Sequence, residues 1–326
     1  MKLPHRRQFL HLAAGAAALP ALSHVARVQS YPTRSIRLIV GFTPGGAGDI
    51  VARIIGQWLS ERLGQPFVIL NRPGGGGNIG TEAVIRAEPD GYTLLFVSTP
   101  NATNATLYEK LDFNFIRDIA PVACISREPN VMVINPSVPA KSVPEFIEYA
   151  KANPGKINYA SAGIGTSQHM AGELFKMMTG INMVHIPHRG SAPALTSVLG
   201  GHVHLMFVSM PSVLEYVRSD KLRALAVTSA KRSDLLPAIP TVAEFVDGFE
   251  AGPFYGMGAP RDTPPQIVER LNAEINAGLT NPELGARLTD LGCTPLPGSP
   301  VEFGKLIAGE TEKWAKVIKF ANIKPE

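Results

Sequence analysis

Short, almost continuously apolar runs recur along this 326-residue chain, and segments with helical periodicity separate them. Strands that are buried on both faces lose the polar–apolar alternation of one-sided sheets, so runs of this kind indicate internal strands. The six clearest runs cover 36–42, 67–70, 93–97, 131–134, 204–208 and 222–227. Between the first two, apolar residues from Val51 to Leu63 occupy one helical stripe. The alternation predicts an α/β protein with mainly parallel sheets.

Helix ends are marked by capping residues and glycines from Ser142 onwards. Ser142 stands three residues before Glu145, which is the spacing of a capping box, and this helix is expected to stop at 153–155. A helix from about Thr166 to Thr179 is expected to end at Gly180, and Ser299 opens a long C-terminal helix. Further helices are predicted over 194–199, 266–279 and 282–291.

The first thirty residues have the pattern of a targeting segment. A basic start that contains Arg6 and Arg7 precedes an apolar stretch over 9–22. The arginine pair resembles a twin-arginine export signal, and we expect cleavage near Ser30 and a periplasmic mature protein. A membrane anchor is disfavoured because the apolar stretch is short and Pro20 interrupts its end.

Without this segment the chain is electrically balanced. The full sequence has 31 basic and 27 acidic residues, and residues 1–30 hold four of the bases and no acid. The remainder therefore has 31 − 4 = 27 bases against 27 acids, a formal net charge of zero. This balance gives no support to a nucleic-acid-binding surface.

Four loops rich in Gly, Ser and Thr are candidates for ligand contact, at 42–50, 71–80, 159–172 and 185–195. The first, FTPGGAGDI, joins a predicted strand to a helix N-terminus, where free N–H groups suit an anion. It lacks the Lys and hydroxyl residue of a phosphate-binding loop, and Val51 stands where the third glycine of G-x-G-x-x-G belongs. A structural turn in which Asp49 helps to start the helix is the alternative.

Two segments, 122–136 and 250–260, are predicted to cross between domains. One lobe would then comprise 31–125 plus 253–326, and the other 126–252. Two crossings form a hinge with a cleft between the lobes. Helix N-termini that face each other across this cleft would suit a ligand with a carboxylate at one or both ends.

Several stretches in order resemble the Bug-type receptors of the tripartite tricarboxylate transporter system. They are YPTRSIRLIVGFTPGGAGDIVAR, GQPFVILNRPGGGGNIGTEAV, PDGYTLLF, NPGKINYASAGIGTSQHMAGELF and LRALAVTSAKRSDLLPAIPTVAE. The resemblance implies a two-lobed periplasmic-binding-protein fold of type II, a monomer that binds a small organic acid and delivers it to membrane permease subunits. It implies no enzyme activity, no cofactor and no bound metal.

The same resemblance implies the residues that bind the ligand. They are Thr43, Pro44, Gly45, Gly46 and Asp49 in the first loop, Ser98, Thr99 and Asn101 after the third apolar run, Ala162, Gly163, Thr166, Ser167 and His169 in the second lobe, and His188, Arg189, Ser209 and Phe254.

Three of these positions depart from the pattern of the family. His188 stands where the family commonly has Tyr, Val208-Ser209 stands where Asp-Asn is frequent, and Phe254 replaces a frequent Trp. We expect all three to face the cleft. The missing acid at 208 favours a plain dicarboxylate, a keto acid or an aromatic acid over an amino acid.

The histidine-rich region 185–204 leaves two alternatives, an exported metal-binding protein and a hydrolase. His185, His188, His202 and His204 give H-x-x-H and H-x-H spacings, but no acidic or Cys-rich cluster completes a ligand set. A G-x-S-x-G elbow is absent from the sequence. The two cysteines, at positions 124 and 293, are compatible with one disulfide or with two buried thiols.

Overall fold

The structure is a computed structural model, and it describes residues 31–108 and 110–325. Within these residues, eleven strands form one six-stranded and one five-stranded sheet. The predicted export signal and its cleavage near Ser30 lie outside the described residues. The α/β class and the two-lobed architecture are confirmed.

The six-stranded sheet has the order β11-β4-β10-β3-β1-β2. Its strands are β1 (Ile36–Val40), β2 (Phe67–Asn71), β3 (Thr93–Ser98), β4 (Ile119–Arg127), β10 (Phe254–Pro260) and β11 (Thr294–Pro295). The five-stranded sheet has the order β7-β6-β8-β5-β9. Its strands are β5 (Asn130–Ile134), β6 (Ile157–Ser161), β7 (Met183–Pro187), β8 (Leu205–Ser209) and β9 (Arg223–Val227).

Eleven α-helices of the described chain pack on these sheets. They are α1 (Ala47–Leu63), α2 (Asn78–Ile85), α3 (Thr99–Leu107), α4 (Phe115–Asp118), α5 (Val143–Ala152), α6 (Ser167–Thr179), α7 (Ser191–Leu199), α8 (Leu214–Arg218), α9 (Pro265–Leu279), α10 (Pro282–Asp290) and α11 (Pro300–Ala321). Several ends follow the predicted signals: Ser142 and Ser299 cap α5 and α11, and Gly180 ends α6 in the left-handed conformation.

Both sheets are mixed, although most strands in each run in the same direction. Strand β10 is antiparallel to β3 and β4, and β5 is antiparallel to β8 and β9. Pairs β1–β2, β1–β3, β6–β7 and β6–β8 are parallel. The reason is topological: β5 and β10 are the strands by which the chain enters each sheet from the hinge, so they run away from the cleft while β1, β3, β6 and β8 run towards it.

The chain passes between the sheets twice, between Arg127 and Asn130 and between Val227 and Phe254. At the first passage, the backbone N–H of Glu128 donates to the carbonyl of Pro253 at 2.9 Å. Gly252, at φ 151°, lies so close that a Cβ there would collide with the carbonyl oxygen of Glu128. The two connections are therefore hydrogen-bonded neighbours at one end of the cleft.

The C-terminal helix packs into the cores of both sheets. Phe303 and Ile307, in its first half, belong to the cluster around β3 and β10. Trp314, Val317 and Ile318 belong to the cluster that covers one face of the five-stranded sheet. Among the described residues, no helix is long and apolar enough to cross a membrane.

Candidate functional site

A cleft of about 880 Å³ separates the two sheets and is lined by residues from both. It lies at the carboxyl ends of β1, β3, β6 and β8, the edge at which open α/β sheets bind ligands. Twelve of the predicted site residues line it: Thr43, Pro44, Gly45, Gly46, Asp49, Ser98, Thr99, Ala162, Thr166, Ser167, Arg189 and Ser209.

Asp49 organises the first loop by bonding to its neighbours. Its side chain is buried and accepts hydrogen bonds from the Gly45 N–H at 3.0 Å, from the Arg53 guanidinium at 2.9 and 3.1 Å, and from the Asn71 amide at 2.8 Å. Burial alone would raise the pKa of Asp49, but these bonds, led by Arg53, hold it below its ordinary value. Both carboxylate oxygens are thus engaged in shaping the loop.

The first turn of α1 faces the cleft with its backbone donors available. Gly46 is the N-cap residue and makes no side-chain capping bond, so the N–H groups of the first turn lack intrahelical acceptors. The glycine-rich second loop is packed beside this one. A Cβ on Gly41 would lie 2.9 Å from the Cα of Gly77, so the two backbones touch.

In the other lobe, Gln168 ties two loops together at the cleft. Its side-chain oxygen accepts from the Ala162 N–H at 2.8 Å, and its amide donates to the Ser191 hydroxyl at 2.8 Å. Thr166 caps α6, since its hydroxyl accepts from the His169 N–H at 3.4 Å. Gly190 is the N-cap of α7 and makes no side-chain cap, so this second helix also presents free N–H groups to the cleft.

Few charged residues line the cleft in the part of the chain that the structure describes. Arg189 is the one cation of this described lining, and it is exposed. The acids are Asp49, which is paired with Arg53, and Glu128. The arrangement therefore offers helix N-termini from both lobes and one free guanidinium, a combination that suits an anion with little other charge.

Glu128 is an acid in the cleft that the sequence reasoning did not identify. It lies between β4 and β5, 2% exposed, and its Oε2 accepts a hydrogen bond from the Tyr255 hydroxyl at 2.9 Å. Burial raises the pKa of Glu128 to about 7, although the bond from Tyr255 acts in the opposite direction. Asn130 and Tyr255 line the same end of the cleft.

Four predicted site residues support the loops from behind and do not line the cleft. Asn101 bonds to the Ser98 N–H and to the Thr81 hydroxyl. Gly163 accepts from the Thr166 hydroxyl through its carbonyl. His169 is buried, and its ring accepts from the Gly165 N–H at 3.1 Å. His188, expected to face the cleft, is half-buried with its Nδ1 3.0 Å from the Ile186 carbonyl oxygen.

The expectation that Phe254 faces the cleft is wrong by one residue. Side chains alternate along a strand, and in β10 Phe254 points into the core against Phe303, with ring centroids 6.3 Å apart. Tyr255 takes the cleft side and stacks on Phe96 at 5.5 Å. A strand assignment for 254–260, with its alternation, is the signal that would have identified Tyr255.

The histidines of the 185–204 region serve local structure. The rings of His169 and His185 stack at 3.8 Å, and burial, the largest cause, lowers their pKa to about 3 and about 4. His204 accepts from the Asn158 N–H. In the residues that the structure describes, no group of three His, Cys, Asp or Glu side chains could hold a metal ion.

A Ser–His contact does occur, but the serine is inaccessible. Ser161 Oγ lies 2.6 Å from His185 Nε2, yet Ser161 is fully buried and does not line the cleft. Cys124 and Cys293 are both free and buried, so the disulfide left open by the sequence is not formed. Burial raises the pKa of each thiol to about 12, which keeps both protonated.

Comparisons with known proteins agree with this geometry. The family model for the tripartite tricarboxylate transporter family receptor matches residues 51–323. BugT of Bordetella pertussis is 39% identical over 293 residues, which are 89% of this chain and 90% of that protein. The solved structure of R. palustris Rpa4515 with adipate is similar, with a TM-score of 0.82 and 38% identity, and the match covers 91% of this chain and 100% of that one. MatC from Rhodopseudomonas palustris with bound malate is also similar, with a TM-score of 0.77 and 30% identity, and the match covers 88% of this chain and 100% of that one. The chain therefore belongs to the receptor family of the tripartite tricarboxylate transporters.

Proposed function

We propose that the protein binds a small organic acid in the interlobe cleft and delivers it to the membrane permease of a tripartite transporter. The acid is a di- or tricarboxylate, a keto acid or an aromatic acid. One observation carries the proposal: uncapped helix N-termini from both lobes and Arg189 face a cleft in which Asp49 is already neutralised. The similar structures that hold adipate and malate support the ligand class.

Binding would use the two lobes together. The segments 31–125 plus 253–326 and 126–252 close over the acid, and the N–H groups of α1 and α7 replace part of its hydration. A ligand drives closure only if it binds the closed form more tightly than the open one. The closed, monomeric receptor then docks on the permease. Neither catalysis nor a cofactor has a part in this mechanism.

A thermal-shift panel of di-, tri-, keto and aromatic carboxylates, in the presence of a chelator, tests the ligand class. We expect at least one acid to raise the melting temperature, since it binds the folded state alone. The variant Arg189→Gln should lower the affinity for that acid by about tenfold. The variant Arg218→Gln should leave this affinity unchanged, because Arg218 is exposed and lies outside the cleft lining. Turnover of the acid, or stabilisation by zinc alone, would contradict the proposal.

We further propose that residues 1–30 direct export through the twin-arginine pathway, with cleavage near Ser30. The support is the pair Arg6-Arg7 before an apolar stretch. Replacement of both arginines by lysine (R6K, R7K) should leave the uncut protein inside the cell, which fractionation and N-terminal sequencing would measure. Normal export of the double variant would exclude this pathway.

A further inference from the structure

Two polar atoms at the hinge end of the cleft have no hydrogen-bond partner in the described chain. They are Oε1 of Glu128 and Nδ2 of Asn130. Both residues line the cleft, although their side chains are only 2% and 1% exposed. Buried polar groups of native proteins nearly always have partners, because burial without a hydrogen bond is costly. Two such atoms in a ligand cleft point to a group that the ligand supplies.

The orientation of Glu128 is fixed on its other side. Tyr255 donates to Oε2 at 2.9 Å, and the Glu128 backbone N–H is bonded to Pro253. The backbone of Asn130 is also held in place, because its N–H donates to the Thr228 hydroxyl at 2.7 Å and this hydroxyl donates to the Asn130 carbonyl at 3.1 Å. The two free atoms therefore belong to a preformed part of the cleft and not to mobile surface side chains.

The chemistry of these atoms selects among the polar groups of a small acid. Above pH 7 Glu128 is ionised, because its pKa is about 7, and Oε1 can then only accept a hydrogen bond. A ligand carboxylate placed against this oxygen would be repelled. An ammonium satisfies Glu128 but offers no acceptor to the amide of Asn130. A hydroxyl both donates and accepts, so it complements one free acceptor and one free donor.

We propose that Glu128 and Asn130 form a hydroxyl-binding subsite, so that the receptor selects hydroxylated carboxylic acids over their deoxy counterparts. This rests on the proposed function, since a carboxylate of the same ligand is bound at the helix N-termini. Tyr255 is a positioning residue in this arrangement, acting through its bond to Glu128.

Isothermal titration calorimetry with matched ligand pairs tests the subsite at about pH 8, where Glu128 is ionised. The pairs are malate and succinate, 3-hydroxyglutarate and glutarate, and 4-hydroxybenzoate and benzoate. In at least one pair the wild-type protein should bind the hydroxylated acid roughly tenfold more tightly, as expected for a hydrogen bond made to otherwise unpaired groups. The apolar variants Glu128→Met and Asn130→Leu should each lower this ratio to within about twofold of unity. Ser212→Ala, which removes a cleft hydroxyl already bonded to Ser209, should leave the ratio unchanged.

The affinity of each variant for the deoxy acid shows whether a lost hydroxyl preference comes from the subsite or from damage to the whole binding site. It should change by less than about threefold in both variants, which also shows that they fold. Wild-type binding of carboxylates with equal affinity within every pair would overturn the subsite but not the proposed function. Failure of every carboxylate to bind would overturn the proposed function itself. If both variants keep the preference for the hydroxylated acid, other residues must cause it, and the proposed subsite would be overturned.

Discussion

The buried carboxyl group of Glu128 makes the stability of the unliganded protein fall as pH rises. Burial raises its pKa from the ordinary 4.5 to about 7 in the folded state. Below pH 4.5 the group is protonated in both the folded and the unfolded protein. Between pH 4.5 and about 7 the unfolded chain releases this proton while the folded protein keeps it, so the free energy of unfolding decreases with pH.

The size of the effect follows from the shift. One pKa unit corresponds to about 1.4 kcal/mol, so the rise at Glu128 predicts a loss of about 3 kcal/mol that is complete above neutral pH. The variant Glu128→Gln cannot ionise, and its side-chain oxygen can still accept from Tyr255. Any fixed cost of the amide is the same at every pH. The quantity of interest is therefore the stability of the variant minus that of the wild type, followed as a function of pH.

Urea unfolding at about pH 4 and about pH 8 measures this difference. We expect it to increase by about 3 kcal/mol in favour of the variant between the two conditions. The exposed Glu148→Gln provides a matched control for the loss of one carboxyl group, and its difference should stay nearly constant. A change of less than about 1 kcal/mol for Glu128→Gln would refute the argument, because it would mean that the group ionises freely in the folded protein.

Three further predictions concern other parts of the structure. Asp49→Ala should cost about 1–3 kcal/mol in urea unfolding and speed amide exchange in the first loop, because it removes the acceptor that Gly45, Arg53 and Asn71 share. Arg53→Ala should cost less, and the reverse order would contradict the assigned role of Asp49. Gly252→Ala should destabilise the protein by about 2 kcal/mol or more through strain and collision at the hinge, clearly more than Gly248→Ala, which meets no atom within 4 Å. The pKa of His169 is lowered from 6.5 to about 3, so its contribution to stability is present above pH 6.5 and is lost on acidification. The melting temperature of His169→Gln should therefore fall less steeply than that of the wild type between about pH 6.5 and about pH 4, and an unchanged slope would refute this.

The strands that the sequence identified are the ones with unbroken apolar runs. Strand β10 lies within 250–260, which was predicted as a crossing between domains, and its Gly256 and Gly258 weaken the strand pattern. The structure shows why the first of them is there: a Cβ at Gly256 would collide with the ring of Phe303 on α11. That requirement comes from a residue nearly fifty positions further along the chain, so no local pattern could express it.

Site residues were predictable where they belong to loops and not where they depend on long-range contacts. The four glycine- and hydroxyl-rich loops do meet at one cleft, as their positions between strands and helices indicated. The sequence could not show that Asp49 accepts a hydrogen bond from Asn71, or that Glu128 lines the cleft. Both contacts depend on how segments that are distant in sequence pack against each other. The expectation that position 208 faces the cleft is wrong, because Val208 is fully buried in the core and its neighbour Ser209 lines the cleft.

The C-terminal helix has a consequence for the cost of binding. Its 22 residues span about 33 Å, and its two halves are fixed in the cores of different lobes through Phe303 and Trp314. Two chain connections alone would permit bending and twisting in several directions. Because the helix is embedded in both cores, it restricts these motions. Restricted motion means that less conformational entropy is lost when a ligand closes the cleft, so more of the contact energy is retained as affinity.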